Sequence, residues 1–159
     1  MPQLSMHSPI GDLTVTEEDG ALISLDWGWV PAEWQTETPL LRRAIEQLNE
    51  YFDGDRLDFD LPLDPPGSDF QKAVCAAMCA IPGGSTLSYG EIAKKLESSA
   101  QAVGNACGLN PIPIIIPCHR VLAAGKQMGG FSGQGGVETK TILLELEGAL
   151  PPQQQQLDI

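Results

Sequence analysis

The chain has no apolar run approaching the roughly 20 residues that a membrane-spanning helix requires, so no membrane partner is expected. Its opening residues, Met1-Pro2-Gln3-Leu4-Ser5, lack the basic start and apolar stretch of a secretory signal. A cytoplasmic, reducing setting is expected, in which thiols stay free. Histidine is scarce, with only His7 and His119, and the four cysteines, Cys75, Cys79, Cys107 and Cys118, include no CxxC pair. No metal site is therefore expected, and no cofactor. Basic residues are few as well: 9 Lys and Arg stand against 21 Asp and Glu, a net charge of −12. Spread evenly, that balance would argue against a nucleic-acid partner. It is not spread evenly. Residues 1–66 hold 14 acids and three bases, whereas residues 67–159 hold seven acids and six bases. Two modules with different surfaces are expected, the first acidic and the second near neutral.

What is present is a globular composition, 42% hydrophobic and 19% charged, long enough to bury its own core without covalent staples. In residues 1–66, alternation predicts strands over Leu4 to Ile10, Leu13 to Thr16 and Ala21 to Leu25, with Glu18-Asp19-Gly20 as a hairpin turn. Trp27, Trp29 and Trp34 read as packing residues rather than a binding platform. Leu40, Leu41, Ala44, Ile45, Leu48 and Phe52 recur at helical spacing and predict a helix from Pro39 to Phe52, ended by Gly54. Leu57 to Leu63 alternates again and reads as one more strand. Asp64-Pro65-Pro66-Gly67 marks a boundary.

Residues 67–150 read as mostly helical. Ser68 caps a helix from Asp69 to Ala80, on which Cys75 and Cys79 share a face and read as core packing. Ser88, with Glu91 three residues on, opens a helix from Tyr89 to Leu96. Ser98 or Ser99 opens another over about Ala100 to Leu109. Two short helices joined tightly form a helix-turn-helix candidate. The second carries no charge from Ser98 to Asn110, and Ala100, Ala102, Gly104, Ala106 and Gly108 give it a small surface. Such a helix either packs closely in a core or lets a minor groove approach. A Gly-rich stretch, Gly125 to Gly136, leads into a last helix from Val137 to Leu150, with Ile142, Leu143, Leu146 and Leu150 inward. Residues 151–159 read as a disordered tail. The fold class is α+β: a small N-terminal β-sheet plus helix module, then a mostly helical, winged-helix-like domain with the helix-turn-helix.

The densest chemistry is Pro117-Cys118-His119-Arg120, directly after Ile112-Pro113-Ile114-Ile115-Ile116. Thiolate is the reactive form of cysteine, and a neighbouring base or cation favours it. An inert, buried packing cysteine is the alternative.

The succession Ser88-Tyr89-Gly90-Glu91-Ile92-Ala93, Ala102-Val103-Gly104-Asn105-Ala106, Asn110-Pro111, Ile116-Pro117-Cys118-His119-Arg120-Val121, Gly130-Phe131-Ser132, Lys140, Leu143-Leu144 and Glu147-Gly148 resembles the O6-alkylguanine-DNA alkyltransferases, or methylated-DNA–protein-cysteine methyltransferases. The resemblance is dense over residues 69–148 and weaker over the first module. It implies DNA repair by one irreversible transfer of an alkyl group from guanine O6 to Cys118, on a base flipped out of the stack. The partner implied is DNA carrying O6-alkylguanine, met by a monomer. His119 is implied as general base, Glu147 as its support, Asn110 as the tie between the turn before the cysteine and that relay, and Tyr89 as donor to the leaving guanine. The backbone of Cys118 and Val121, with Ser132, is implied at the guanine edge, and Phe131 and Met128 as pocket walls. Ala102 and Gly104 would enter the minor groove, with Lys72, Lys94, Lys95, Arg120 and Lys126 on phosphates.

Gln101 departs from the family pattern, which normally has an arginine there to fill the space of the flipped base. Slow duplex repair is then expected, or a substrate that is single-stranded DNA or free base. Cys107 in place of a larger apolar residue and Cys75 in place of an aromatic are milder departures. Two other readings stand beside this one. An alkyltransferase-like protein would bind lesions without an acceptor, commonly with tryptophan in place of Cys118. A thiol hydrolase would turn over repeatedly.

Overall fold

A computed structural model describes residues 1–131 and 133–149, and of Lys126 the main chain only. Three antiparallel strands open the chain, β1 (Gln3–Met6), β2 (Leu13–Glu18) and β3 (Ala21–Trp27), in the order β1-β2-β3. The β2–β3 turn places Asp19 at φ 52 and Gly20 at φ 80, the doubly left-handed geometry that matches the twist of a tight hairpin. Leu13 and Val15 face the core, while Thr14 and Thr16 are also buried and satisfied by Ser5, Gly28 and Gln3.

Helix α1 (Pro39–Phe52) starts where Thr38 accepts from the Leu41 amide at 3.1 Å, with Pro39 in the first turn, where it forfeits no hydrogen bond. Its buried side chains include Leu41, Ala44, Leu48 and Tyr51, one face at helical spacing that packs on β2. Gly54 at φ 83 follows its end.

The strand expected over Leu57 to Leu63 does not form. This segment meets the sheet only where Leu22 donates to the Pro62 carbonyl at 2.9 Å and Asp64 donates to the Leu22 carbonyl at 2.8 Å. Pro62, Pro65 and Pro66 have no N–H to give a ladder. The Gln47 side chain takes both main-chain groups of Asp60, and Arg43 donates to the same carbonyl, so α1 pins the segment instead.

The helices of the second part follow their capping signals. Helix α2 (Asp69–Cys79) begins with a reciprocal Ser68–Gln71 box and α3 (Tyr89–Leu96) with a Ser88–Glu91 box. Glu97 turns left-handed at φ 54, and Ser99, not Ser98, caps α4 (Ala100–Gly108). Helices α3 and α4 form the helix-turn-helix. Short strands β4 (Leu87–Ser88) and β5 (Val121–Leu122) pair in parallel, tying the start of α3 to the chain just after Cys118.

Helix α5 spans Gly136–Leu146, shorter than expected, with Glu147 as its C-cap and Gly148 at φ 77. Its inward face is also rotated from the expected one. Leu143 and Leu144 are buried but Ile142 is 48% exposed, because Lys140 and Glu147 occupy the inner side. Leu150 and the tail 151–159 lie outside the described residues.

Among the tryptophans only Trp27 packs inward. Its indole donates to Ile10 and its ring meets Phe131 edge-on at 6.2 Å. Trp29 stacks on His7 and stays exposed, as does Trp34. Cys75 is buried as expected, whereas Cys79, at the helix end, is exposed. The buried apolar residues of both parts, Leu122 and Leu144 aside, belong to one continuous core. Among the described residues no helix is long and apolar enough to cross a membrane.

Candidate active site

The route to the site begins in the turn before Cys118. Asn110, itself buried, accepts from the Ile112 amide at 3.0 Å and donates to the Ile116 carbonyl at 2.8 Å. Ile116 closes back on Ile112, and the Cys118 amide donates to Ile116 at 2.8 Å. Inside this loop Ile114 holds φ 76, a costly conformation for a β-branched residue. Burial on all sides and the Asn110 bracket hold it there. From outside, the Leu25 amide of β3 donates to the Pro111 carbonyl. Asn110 thus fixes the turn, but it makes no hydrogen bond to His119 or Glu147.

Residues Cys118–Arg120 form one turn of 3-10 helix, and all three are buried. His119 Nε2 and Glu147 Oε2 lie 2.6 Å apart. Glu147 receives three further donors: Tyr51 Oη at 2.6 Å on Oε2, Arg120 Nε at 2.8 Å on Oε1 and Arg120 Nη2 at 3.1 Å on Oε2. Burial alone would raise this carboxyl, but the hydrogen bonds and charges of His119, Arg120 and Tyr51 outweigh it and hold it near 2. Burial pushes His119 below its ordinary value, against the pull of Glu147. A neutral imidazole facing a carboxylate through Nε2 carries its proton on that nitrogen. Nδ1 is then left with its lone pair, and it has no hydrogen-bond partner among the described residues. The arrangement is a base whose tautomer is set by the acid behind it.

Arg120, expected on phosphate, is 2% exposed. Besides Glu147 its guanidinium donates to the Asp58 carboxylate at 2.9 Å and to the carbonyls of Ile81 and Leu57, each at 2.7 Å. No phosphate contact is open to it. It serves as counter-charge to Glu147.

Cys118 lines a cavity of about 330 Å³ together with Tyr89, Gly104, Cys107, Gly108, Gly130 and Phe131. One wall is α4, the other the loop before α5. Burial and the nearby Cys107 raise Tyr89, with the Gly130 amide pulling it down, so it stays a phenol that can donate. Burial pushes the Cys107 thiol up to about 12. Val121 and Met128, expected at the pocket, do not line it. Their carbonyls, with that of Gly130, instead accept from Lys140 Nζ. Lys140 is fully buried and lowered by burial to about 8, so it is an ammonium at neutral pH that ties this loop to α5. Ser132 lies outside the described residues. Phe131 stands on Trp27, and a Cβ at Gly129 would meet Tyr89 Oη at 2.7 Å, so glycine is what admits the phenol there.

On the outer side of the cavity, Gln101, Asn105 and Gly108 are exposed along α4, with Ala102 and Gly104 half-buried. A Cβ added at Gly104 or Gly108 would find no atom within 4 Å. Gly104 and Gly108 therefore do not serve the core and keep a surface open, whereas Ala106 on the opposite side of α4 is buried in it. Lys94 and Lys95 are exposed in the last turn of α3, and Lys72 is exposed on α2. The side chain of Lys126 lies outside the described residues.

Sequence reasoning did not single out Tyr51, Asp58 or Cys107 for the site, and it gave Lys140 no task. The signal for Tyr51 was its place on the inward stripe of α1, which an aromatic residue fills without comment.

A cysteine backed by a histidine–carboxylate pair, opening beside a helix-turn-helix, defines a thiol acceptor mounted on a DNA-binding scaffold. Residues 69–149 match the family described as 6-O-methylguanine DNA methyltransferase, DNA binding domain, and residues 4–65 match its ribonuclease-like domain. A methylated-DNA–protein-cysteine methyltransferase of Mycobacterium bovis is 41% identical over 155 residues, covering 93% of each chain. One from Methanosarcina barkeri is 40% identical over 150 residues, covering 89% of this chain and 94% of that one. The crystal structure of Mycobacterium tuberculosis OGT in complex with DNA superposes with a TM-score of 0.83 at 39% identity, covering 100% of both chains. The chain belongs to the methylated-DNA–protein-cysteine methyltransferase family.

Proposed function

We propose that this protein repairs DNA by moving an alkyl group from O6 of guanine to Cys118, once per molecule. The observation that carries this reading is the cavity that joins Cys118, Tyr89 and the open face of α4. It lies at the lower end of the size range of small-molecule sites, roughly 300–1,000 Å³, and a single flipped base is the ligand it suits. The thiol gives its proton to His119 Nδ1, directly or through one water, and the sulfur attacks the alkyl carbon. The carbon–O6 bond breaks, its electron pair stays on guanine, and the Tyr89 hydroxyl donates to the ring as that charge develops. The thioether has no route back to a thiol, so turnover stops.

The small, uncharged outer face of α4 supports entry into a minor groove. Lys72, Lys94 and Lys95 support a modest phosphate contribution, and the acidic first part supports a surface kept away from DNA. A monomer suffices, because one chain supplies every group named. Cys118 speaks against the acceptor-less lesion binder, and the motif series around it gives little support to a hydrolase, which would also need an oxyanion site.

Incubation with DNA containing O6-methylguanine, followed by peptide mass spectrometry, tests the reading. The expected result is a gain of one CH2 on Cys118 and on no other cysteine. Retained lesion binding with an unmodified Cys118 overturns it in favour of the lesion binder, and continued product release beyond one equivalent overturns it in favour of a hydrolase.

A further inference from the structure

We infer that Tyr51, in the first module, is a positioning residue for alkyl transfer, setting through Glu147 how strongly His119 holds a proton. The inference rests on the reading of Cys118 as acceptor and His119 as its base.

Tyr51 is 1% exposed, and its hydroxyl lies 2.6 Å from Glu147 Oε2, the same oxygen that meets His119 Nε2. A phenol buried this deeply needs an acceptor for its O–H, yet a carbonyl would serve as well as a carboxylate. Here it is aimed at the one acid behind the base. Phe52 and Phe59 flank its ring at 5.4 Å each, so the hydroxyl has little freedom to leave. The groups facing Glu147 come from every element around it. They are Tyr51 from α1, His119 and Arg120 from the Cys118 turn, and Asp58 acting through Arg120. Lys140, on the same helix as Glu147, adds positive charge near His119.

A donated hydrogen bond draws negative charge out of a carboxylate oxygen. Each donor on Oε2 therefore weakens that oxygen's grip on an imidazolium proton. With Arg120 and Tyr51 both in place, Glu147 orients His119 without charging it, and Nδ1 remains a free lone pair. Removing the Tyr51 hydroxyl hands that charge back to His119. The imidazolium becomes easier to form, and the base is blocked at pH values where the intact protein still reacts.

The test uses the full chain and O6-benzylguanine as free base, which reports on the relay without DNA or base flipping. The rate of Cys118 labelling is followed from pH 5 to 8. In Tyr51→Phe the acid limb should move upward by up to about one pH unit, the size of change that follows from losing one hydrogen bond to a charged group. At a pH on that limb, labelling should slow roughly tenfold, with rates converging above it. Site-specific replacement of Tyr51 by a ring-fluorinated tyrosine, a stronger donor that keeps shape, should move the limb the other way. Opposite displacements support the inference. Both profiles lying on the wild-type curve overturn it while the acceptor reading stands, and should Tyr51→Phe not fold, the fluorinated protein decides alone. A wild-type protein that takes neither the benzyl group nor the methyl group of O6-methylguanine DNA on Cys118 overturns the acceptor reading itself.

Discussion

His119 Nε2 lies 2.6 Å from Glu147 Oε2, and neither side chain is exposed to solvent. Because the same carboxylate also neutralises Arg120, Glu147→Gln removes two things at once. The acceptor that fixes the imidazole tautomer becomes a two-faced amide, and a buried guanidinium loses its main counter-charge. Breaking a buried pair from one side costs about 3–5 kcal/mol. Urea unfolding of Glu147→Gln should show a loss of that order, and benzylguanine labelling of the folded protein should slow at least tenfold. An unchanged unfolding midpoint would show that the pair carries no weight.

The same pair sets how the fold answers to acid. Glu147 sits near 2 in the fold against an ordinary 4.5, so it stabilises above 4.5 and that contribution drains away as pH falls toward 2. His119 is also depressed in the fold, from an ordinary 6.5. The unfolded chain therefore takes up that proton first, and stability falls as pH drops below 6.5. Both signs agree. Urea midpoints should decline steadily from pH 7 to pH 3, and Glu147→Gln should flatten the lower part of that decline. A wild-type midpoint that stays level over this range contradicts the linkage.

Much of this is legible in the sequence. Local signals announced themselves: the Ser88–Glu91 box opened α3 where expected, and Pro39 and Gly54 bracketed α1. The motif Pro117-Cys118-His119-Arg120 with Glu147 pointed to two side chains that the fold brings to 2.6 Å, His119 and Glu147. What failed were inferences that need a third dimension. Leu57 to Leu63 alternates like a strand, but Gln47 and Arg43 capture its backbone from a helix. Arg120 looks like a phosphate ligand beside a reactive cysteine, and only the tertiary fold reveals Asp58 and Glu147 closing around it. Ile142 follows an apolar pattern whose true inward face holds Lys140 and Glu147, two charged residues that no hydrophobic periodicity would place inside.

Gly104 offers a test that separates packing from access. A Cβ there meets nothing within 4 Å, and glycine inside a helix costs roughly 0.5–1 kcal/mol relative to alanine. Gly104→Ala should therefore raise stability slightly, by up to about 1 kcal/mol in urea unfolding. It should also slow labelling by lesion-bearing DNA, because the added methyl stands at the mouth of the Cys118 cavity. A loss of stability would return this helix to the core-packing reading.

Gln101 is exposed in the first turn of α4, beside the open face that leads to Gly104 and the cavity. A neutral amide at this position can hydrogen-bond an orphaned base, but it brings no charge to the phosphates and no cation–π contact with neighbouring bases. Gln101→Arg supplies both. The rate on duplex DNA containing O6-methylguanine should rise. DNA affinity should fall more steeply with salt, by close to one further counterion in the slope of log K against log salt. Labelling by O6-benzylguanine free base should not change, because that reaction never uses the space left in a duplex. This contrast isolates delivery of the base from the chemistry at Cys118. Equal duplex rates for Gln101→Arg and wild type would mean that another group fills the gap, and the small residues of α4 would then be the first place to look.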